Sequence, residues 1–578
     1  MKAITITILC LTAAAYGQVP DARMHHLRSG TEAEWTEFEG SVPEGKRLDF
    51  RFIAEPNKDE TSLFIRQIDV KLDWNVELNG RKLGKLFLME YPLVHSLKVP
   101  PNTLRSGENI LSILPPKEND DIRVGDFRFG KLDATLEVQV DQPCRITVAD
   151  GQGHLAALSA TNGRPGVVYT LAGKAKIALL PGEYTIYASR GIEYSVASTK
   201  VKLGAGDLRS VHPQIEREVQ TPGLVSCDTH VHTFSYAKHG DATIEERMLT
   251  IAGEGLELPI STEHNMLVNF SEVTKKTGTE KYFTPVLGCE VTTKCGHFNA
   301  FPIKPGSRVP EFRIEDWPRL MENIRATPGV ELVVLNHPRD THVGFCPFAE
   351  TNFNSVTGEN LRGFEFQFDA VELINSGALR TDLMQVFHDW FALLNYGYRI
   401  TGVGASDSHD VSRFIVGQGR TYIFCKDNDP AKIDIQEACA SLRAGRALIS
   451  LGLLVDMTVQ GRFRVGDLAT HLPDQLEVAV TVSAPKWSRP DHVELYANGK
   501  KLQETNTAKT TWTISRPKAD TYLVAIATGP GITSPHWAIP KPYQPSSKKW
   551  NSRVLGATNP IWLDCDGDGK FTPLRLQK

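Results

Sequence analysis

Between residues 222 and 450 the chain passes through six short apolar runs, "GLELPIST", "FTPVLGCEV", "HFNAFPI", "VELVVLNHP", "DAVELINS" and "RITGVGASDSH", separated by stretches with helical spacing. Runs this short and this uniformly apolar read as strands buried on both faces. Their alternation with helices favours parallel strands joined by crossovers, an α/β domain. Thr243 and Glu246 form a capping-box signature, followed by Ile244, Met248, Ile251 and Ala252 at helical spacing and then Gly253. A second helix is expected from about Thr381 to Tyr396, with Leu383, Val386, Phe387, Trp390 and Leu394 on one face and Gly397 as its stop.

The flanking sequence has a different texture. A chain of 578 residues is too long for one core, so a multidomain protein of α/β plus all-β parts is expected. Residues 18–140 and 141–215 alternate with a period of two and carry turn signals at Asn79-Gly80 and Pro181-Gly182, which reads as two small β-sandwiches. Within the first, "VPPNTLRSGENILSI" resembles the jelly-roll domains attached to many secreted sugar-active enzymes. Alternation returns over 451–545, with a hairpin signal at Asn498-Gly499, so a third sandwich is expected. In the tail, 546–578, Asp564, Asp566, Asp568 and Gly569 match the first half of a calcium loop, but Arg575 stands at the twelfth position, where a bidentate Glu is needed. A plain Asp-Gly turn is the simpler reading.

The amino end, "MKAITITILCLTAAAYGQ", reads as a cleaved secretory signal over residues 1–17, with Cys10 inside it and Gln18 as the first mature residue. Export to the periplasm or beyond is expected, and no other stretch is long and apolar enough to span a bilayer. The balance of 64 Lys+Arg against 68 Asp+Glu leaves no basic footprint for nucleic acid or an anionic membrane. Eight cysteines remain after the leader, scattered and without a C-x-x-C pair, which argues against a disulfide framework or a structural zinc knot. Cys227, Cys289 and Cys295 lie beside histidine-rich segments and read as buried free thiols rather than ligands.

The chemistry concentrates where the apolar runs end. With 17 histidines in the chain, one H-x-H pair is unremarkable by chance. Here, however, "THVH", "TEHN", "GCEV", "KCGHF", "LNHP" and "ASDSH" each place a metal-binding residue type at a strand end, and parallel strands bring those ends to one face. The two-residue period turns His230 and His232 to one side, and likewise Asp407 and His409. Glu290 is the carboxylate best placed to bridge two ions, with His297 and His337 completing the second. His239 and His264 are candidates for an optional third. Many imidazoles with few carboxylates suit zinc, manganese or iron better than magnesium or calcium. Lys294, Arg339, Asn375 and Arg413 fall near strand ends as candidates to orient an anionic substrate, with solvated surface roles as the alternative. His342 and His388 read as structural.

In order, "DTHVHT", "GLELPISTEHN", "GCEVTT" with "GHFNA", "LNHP" and "GASDSH" resemble the metal-binding motifs of the PHP (polymerase and histidinol phosphatase) superfamily, most closely its carbaryl-hydrolase-like CehA/McbA branch. The resemblance covers the α/β part. It implies a distorted seven-stranded β/α barrel flanked by the sandwiches, two or three divalent ions, and hydrolysis of phosphoesters or related esters. Carried over residue by residue, it implies His230, His232, Glu290 and Asp407 for one ion, Glu290, His297 and His337 for the next, and His239, His264 and His409 for a third. Glu263 stands where many relatives have Asp, and His239 lies one residue farther from His232 than in some three-metal members; both departures bear on the third ion.

The expected chemistry is attack by a metal-activated water, held by Glu290 and Asp407, on a phosphorus or carbonyl centre. No G-x-S-x-G elbow supplies a serine nucleophile. Two alternatives stay open: a carbamate or carboxyl ester hydrolase using the same site, and a secreted carbohydrate-binding protein whose barrel is only metal-stabilised. The expected partner is a small-molecule or polymer-linked ester, with carbohydrate contact through the sandwiches and no nucleic acid.

Overall fold

In the computed structural model, which describes residues 21–341, 345–426, 429–543 and 545–577, the period-two alternation of the first third becomes two stacked-sheet units. The expected leader, with Cys10 and Gln18, and His342 lie outside the described residues. In the first unit, strands ordered Asp21–Arg28, Asp121–Gly130, Thr61–Ile68, Leu93–Val99 form one sheet, and Leu48–Ala54, Gly107–Leu114, Asn75–Leu78, Arg81–Lys85 the other. Phe50, Leu63, Trp74, Leu111 and Phe127 are buried in one core. Asn79 and Gly80, at φ +54° and +78°, make the tight hairpin turn that the Asn-Gly pair signals.

The second unit begins earlier than the sequence pattern implied. Strand Ala134–Val140 pairs with Gly173–Leu179 rather than with the first unit, and its Leu136 and Val138 pack with Ile146, Val168 and Ile186. Alternation alone does not say which neighbour a strand pairs with.

The α/β part departs from a uniformly parallel arrangement. Leu224–Val231, Leu258–Ser261 and Val286–Leu287 are parallel, as are Leu332–Leu335, Ala370–Asn375 and Thr401–Ala405. Between them, Cys289–Thr293, Gly296–Phe301 and Leu332–Leu335 pair antiparallel. The link at Lys294-Cys295 is too short for a crossover helix, and Gly296 at φ +121° takes the turn that a side chain resists. The two sheets meet at both edges: Val231 bridges Ser408, and His264 bridges Glu290. The capping box is present on helix Ile244–Gly253. The second expected helix starts at Gln385 and ends at Tyr396, capped by Gly397, because Asp382 accepts from the Met384 N–H and holds the preceding turn.

No gap in the sheet separates the α/β part from the C-terminal region. Ala447–Leu451 pairs with Arg553–Thr558, which continues through Thr521–Pro530 and His492–Ala497 to Lys500–Thr505, so one sheet serves both. Residues 553–558 and 561–563, expected in a tail, are strands of it. A four-stranded sheet containing Leu454–Val459, Gln475–Ser483 and Lys509–Ser515 lies in the same core. Phe391, on the helix behind the site, packs against Tyr496 and Tyr522 of the C-terminal region. Among the described residues all eight cysteines are free, and no helix is long and apolar enough to cross a membrane.

Trp390 is fully buried on the same helix, with its indole N–H donating to the Ile400 carbonyl at 2.8 Å. Trp390→Ala is expected to cost about 3–5 kcal/mol, read as a lower urea midpoint of unfolding. A change under about 1 kcal/mol would contradict this packing.

Candidate metal centre

Glu290 is fully buried at the start of strand Cys289–Thr293, and five imidazoles close on its carboxylate. Oε1 lies 2.9 Å from His297 Nδ1, 3.4 Å from His230 Nε2 and 3.6 Å from His337 Nε2. Oε2 lies 3.5 Å from His232 Nε2 and pairs with His264 Nδ1. Asp407 Oδ1 faces the same space, 3.2 Å from His230 Nε2 and 3.4 Å from His232 Nε2. His409 stacks on His232 with ring centroids 4.1 Å apart. Residues spread over 180 positions of sequence thus meet in one buried cluster.

Local backbone geometry aims these groups. The strand period puts the His230 and His232 rings 4.9 Å apart on one side. Asp407 and His337 sit at φ +52° and +22°, in the left-handed region that non-glycine residues avoid, so the surrounding structure holds them there against strain. Buried Asp228 accepts backbone N–H bonds from His230, Ser406 and Gly417 at 3.1, 3.0 and 2.8 Å, tying three site segments together. Arg247, buried on the capped helix, donates to the carbonyls of His232, Ser408 and Asp410. Glu372 receives His230 Nδ1 at 2.7 Å and the His337 N–H at 2.7 Å. This leaves His230 Nε2 as the nitrogen turned toward Glu290 and Asp407.

The electrostatics fit a cation cage. His230 Nε2, both ring nitrogens of His232, His297 Nε2 and His409 Nε2 are buried without a hydrogen-bond partner. Each such orphan costs about 1–3 kcal/mol in a protein alone. Burial and neighbouring imidazoles hold His232 and His409 well below the usual histidine range, so their lone pairs are available. Burial opposes ionisation of Glu290, but the charges of His264, His297 and His230 overcome it and keep the carboxyl well below its usual range. Three triplets, His230–His232–Asp407, His230–Glu290–His337 and His232–His264–His409, each bring their ligand atoms within 4.8 Å of one another. The carboxylates Glu290 and Asp407 raise the pKa of His230, His264 and His337 against the cost of burial, His337 to about 9, so these imidazoles hold protons that a divalent metal would displace, while His232 and His409 already offer lone pairs.

His239 lies at the exposed outer edge, its ring centroid 4.2 Å from His409 and 5.4 Å from His264, with Nδ1 on the Ala237 carbonyl at 3.0 Å. Asn375 is in the site, donating to Glu372 Oε2 at 2.9 Å and Asp407 Oδ2 at 3.3 Å. The three cations expected to orient substrate are committed elsewhere. Lys294 is exposed and pairs with Glu315, Arg339 makes a two-pronged pair with Asp389, and Arg413 does the same with Glu90 of the first sandwich. Sequence proximity to a strand end did not reveal these partners, which are up to 323 residues away. Cys227 and Cys289 are buried, and that burial pushes the Cys289 thiol up to about 12, so they stay protonated outside the cage. His388 is exposed on its helix.

Sequence reading missed Glu372, Asp228 and Arg247. The available signal was a charged residue inside an otherwise apolar run, as Glu372 is in "DAVELINS". At the tail, Asp564 and Asp566 approach Asp520, but Asp564 accepts from the Gly567 and Gly569 N–H groups and Asp568 from Lys570, the bonding of a turn.

No protein-family model matches the chain, and no curated protein does. Solved structures show distant likenesses. One is a two-domain protein containing a predicted PHP-like metal-dependent phosphoesterase from Bacteroides vulgatus, at 15% identity over 55% of this chain and 92% of that one, with TM-score 0.30. Another is an FMN-binding β-glucuronidase from Faecalibacterium prausnitzii, at 11% identity over 83% and 88%, TM-score 0.20. A third is a glycosyl hydrolase family 2 member from Bacteroides cellulosilyticus, at 8% identity over 89% and 88%, TM-score 0.15. Likeness of this degree assigns no activity to this chain.

Glu372→Ala is expected to lower metal affinity about 10–100-fold, measured by competition with a chromophoric chelator, while the fold persists. Unchanged affinity would contradict the orienting role. Arg413→Ala strands Glu90 as a buried charge and is expected to cost about 3–5 kcal/mol in thermal or urea unfolding, with metal content retained. Lost metal at unchanged stability would instead return Arg413 to the site.

Proposed function

We propose that this chain is an exported metal-dependent hydrolase that cleaves phosphoester bonds, a member of the PHP superfamily in its CehA/McbA branch, built on a distorted seven-stranded β/α barrel. The observation that carries this reading is the ring of partnerless imidazole nitrogens facing the buried carboxylates of Glu290 and Asp407. In this reading Glu290, His230, His232 and Asp407 would hold one divalent ion, and Glu290, His297 and His337 a second. His264, His409 and His239 form the place of a third. Zinc, manganese or iron suits the imidazole-rich set.

Divalent cations, when bound there, would supply a water of near-neutral pKa and a sink for negative charge developing on the ester. The chain's own residues hold and aim them. Glu372 fixes the His230 tautomer by accepting at Nδ1, so that Nε2 points inward. Asn375 holds the Asp407 carboxylate, and Asn336 donates to Glu290 Oε1 at 3.1 Å. The nearby serines offer no rival nucleophile: Ser406 Oγ donates to the His230 carbonyl and Ser408 Oγ to that of Asp410. Neither is paired with an imidazole nitrogen, the arrangement that activates a serine.

The test is elemental analysis of the purified protein with turnover of aryl phosphates, phosphodiesters, phosphonate monoesters and aryl carbamates, before and after chelation. Phosphoester turnover is expected to vanish on chelation and return with zinc, manganese or iron. Glu290→Ala is expected to lower kcat/KM by at least about 10³-fold. Turnover of carbamates alone would move the substrate to carbonyl esters, and metal uptake without any turnover would leave a binding protein.

A further inference from the structure

A cleft opens beside His337, lined by His337, Glu372, Asn375, Arg380 and Tyr543. Pro338, Ile374, Leu379 and Val386 give it apolar lining as well. Two guanidinium groups reach it, and they differ in one respect. Arg339 spends both prongs on Asp389, at 2.7 Å each. Arg380 forms no ion pair among the described residues; it donates from Nη1 to the Arg339 carbonyl at 3.3 Å, and its buried Nε has no hydrogen-bond partner. The carboxylate next to it in the cleft, Asp340, is already engaged by the Tyr543 hydroxyl at 2.5 Å and faces His337 Nδ1 at 3.5 Å.

A half-buried guanidinium with an unused N–H in a cleft with apolar lining is costly to keep. It is also the form of cation that recognises a phosphoryl oxygen, because its planar fork presents several N–H donors at fixed angles. Burial lowers the Arg380 pKa, which reflects how little compensates its charge. His337 and Asn375 connect this cleft to the Glu290–Asp407 cluster, so an anion held by Arg380 lies alongside the cage.

We propose that Arg380 binds a non-bridging oxygen of the substrate's phosphoryl group, making the cleft beside His337 the pocket that selects anionic esters over neutral ones. The proposal rests on the hydrolase reading for the word substrate, but the anion site itself does not. Arg380 is therefore a specificity-determining residue that acts through its N–H donors.

Inorganic phosphate is titrated calorimetrically into the full, metal-loaded protein and into the Arg380→Met and Arg380→Lys variants, each checked for metal content and melting temperature. Phosphate affinity is expected to fall at least tenfold in Arg380→Met, with Arg380→Lys between it and the wild type and metal content unchanged. For turnover, Arg380→Met is expected to raise KM for a phosphodiester at least tenfold while leaving KM for a neutral aryl acetate within about twofold. Equal phosphate affinity in wild type and Arg380→Met, including no measurable binding by either, would overturn the proposal. So would a fall in melting temperature with phosphate affinity unchanged, which marks a structural arginine. A phosphate shift in a protein that turns over none of the esters would overturn the hydrolase reading and leave the anion site standing.

Discussion

The structure depends on keeping one carboxylate, Glu290, ionised where water cannot reach it. A buried carboxylate alone would take up a proton, because burial disfavours its charge. Here His264, His297 and His230 surround it and hold it charged. The compensation is mutual but incomplete: several of the imidazole nitrogens have no hydrogen-bond partner. That residual imbalance, negative oxygens and open lone pairs sharing one small space, is what a divalent cation would relieve.

Everything around the cage serves to keep it from collapsing. Asp228 gathers backbone N–H groups from the three segments that carry His230, Asp407 and the loop before Arg420. Arg247 grips the carbonyls on either side of the histidines, which is why the capped helix that carries it packs directly behind the site. The sandwiches take part as well. Glu90 of the first receives Arg413, and Arg145 of the second donates to the Ser412 carbonyl at 3.2 Å. From the C-terminal side, Tyr543 reaches Asp340 beside His337. The flanking domains therefore wall the centre rather than hang from it.

Much of this was legible in the sequence because it is local. The capping box at Thr243, the Asn-Gly hairpins and the strand ends at His230, His264, Glu290, His337 and Asp407 each depend on residues a few positions apart. What was not legible depends on pairing between distant segments. The antiparallel run through Gly296–Phe301 has the same apolar pattern as a parallel strand, and Ala134–Val140 alternates equally well for either sandwich. Arg413 has the composition of an anion-binding residue and the surroundings of a domain clasp. Arg380 shows the reverse: nothing in "GALRTD" marks it, and its lack of an ion pair among the described residues distinguishes it.

The most direct measurement is an anomalous difference map from crystals of the protein, collected on both sides of the zinc, manganese and iron absorption edges. The account predicts at least one strong edge-dependent peak enclosed by Glu290, His230, His232 and Asp407. Ordered water in that space, with no edge-dependent density after soaking in each metal, would contradict it.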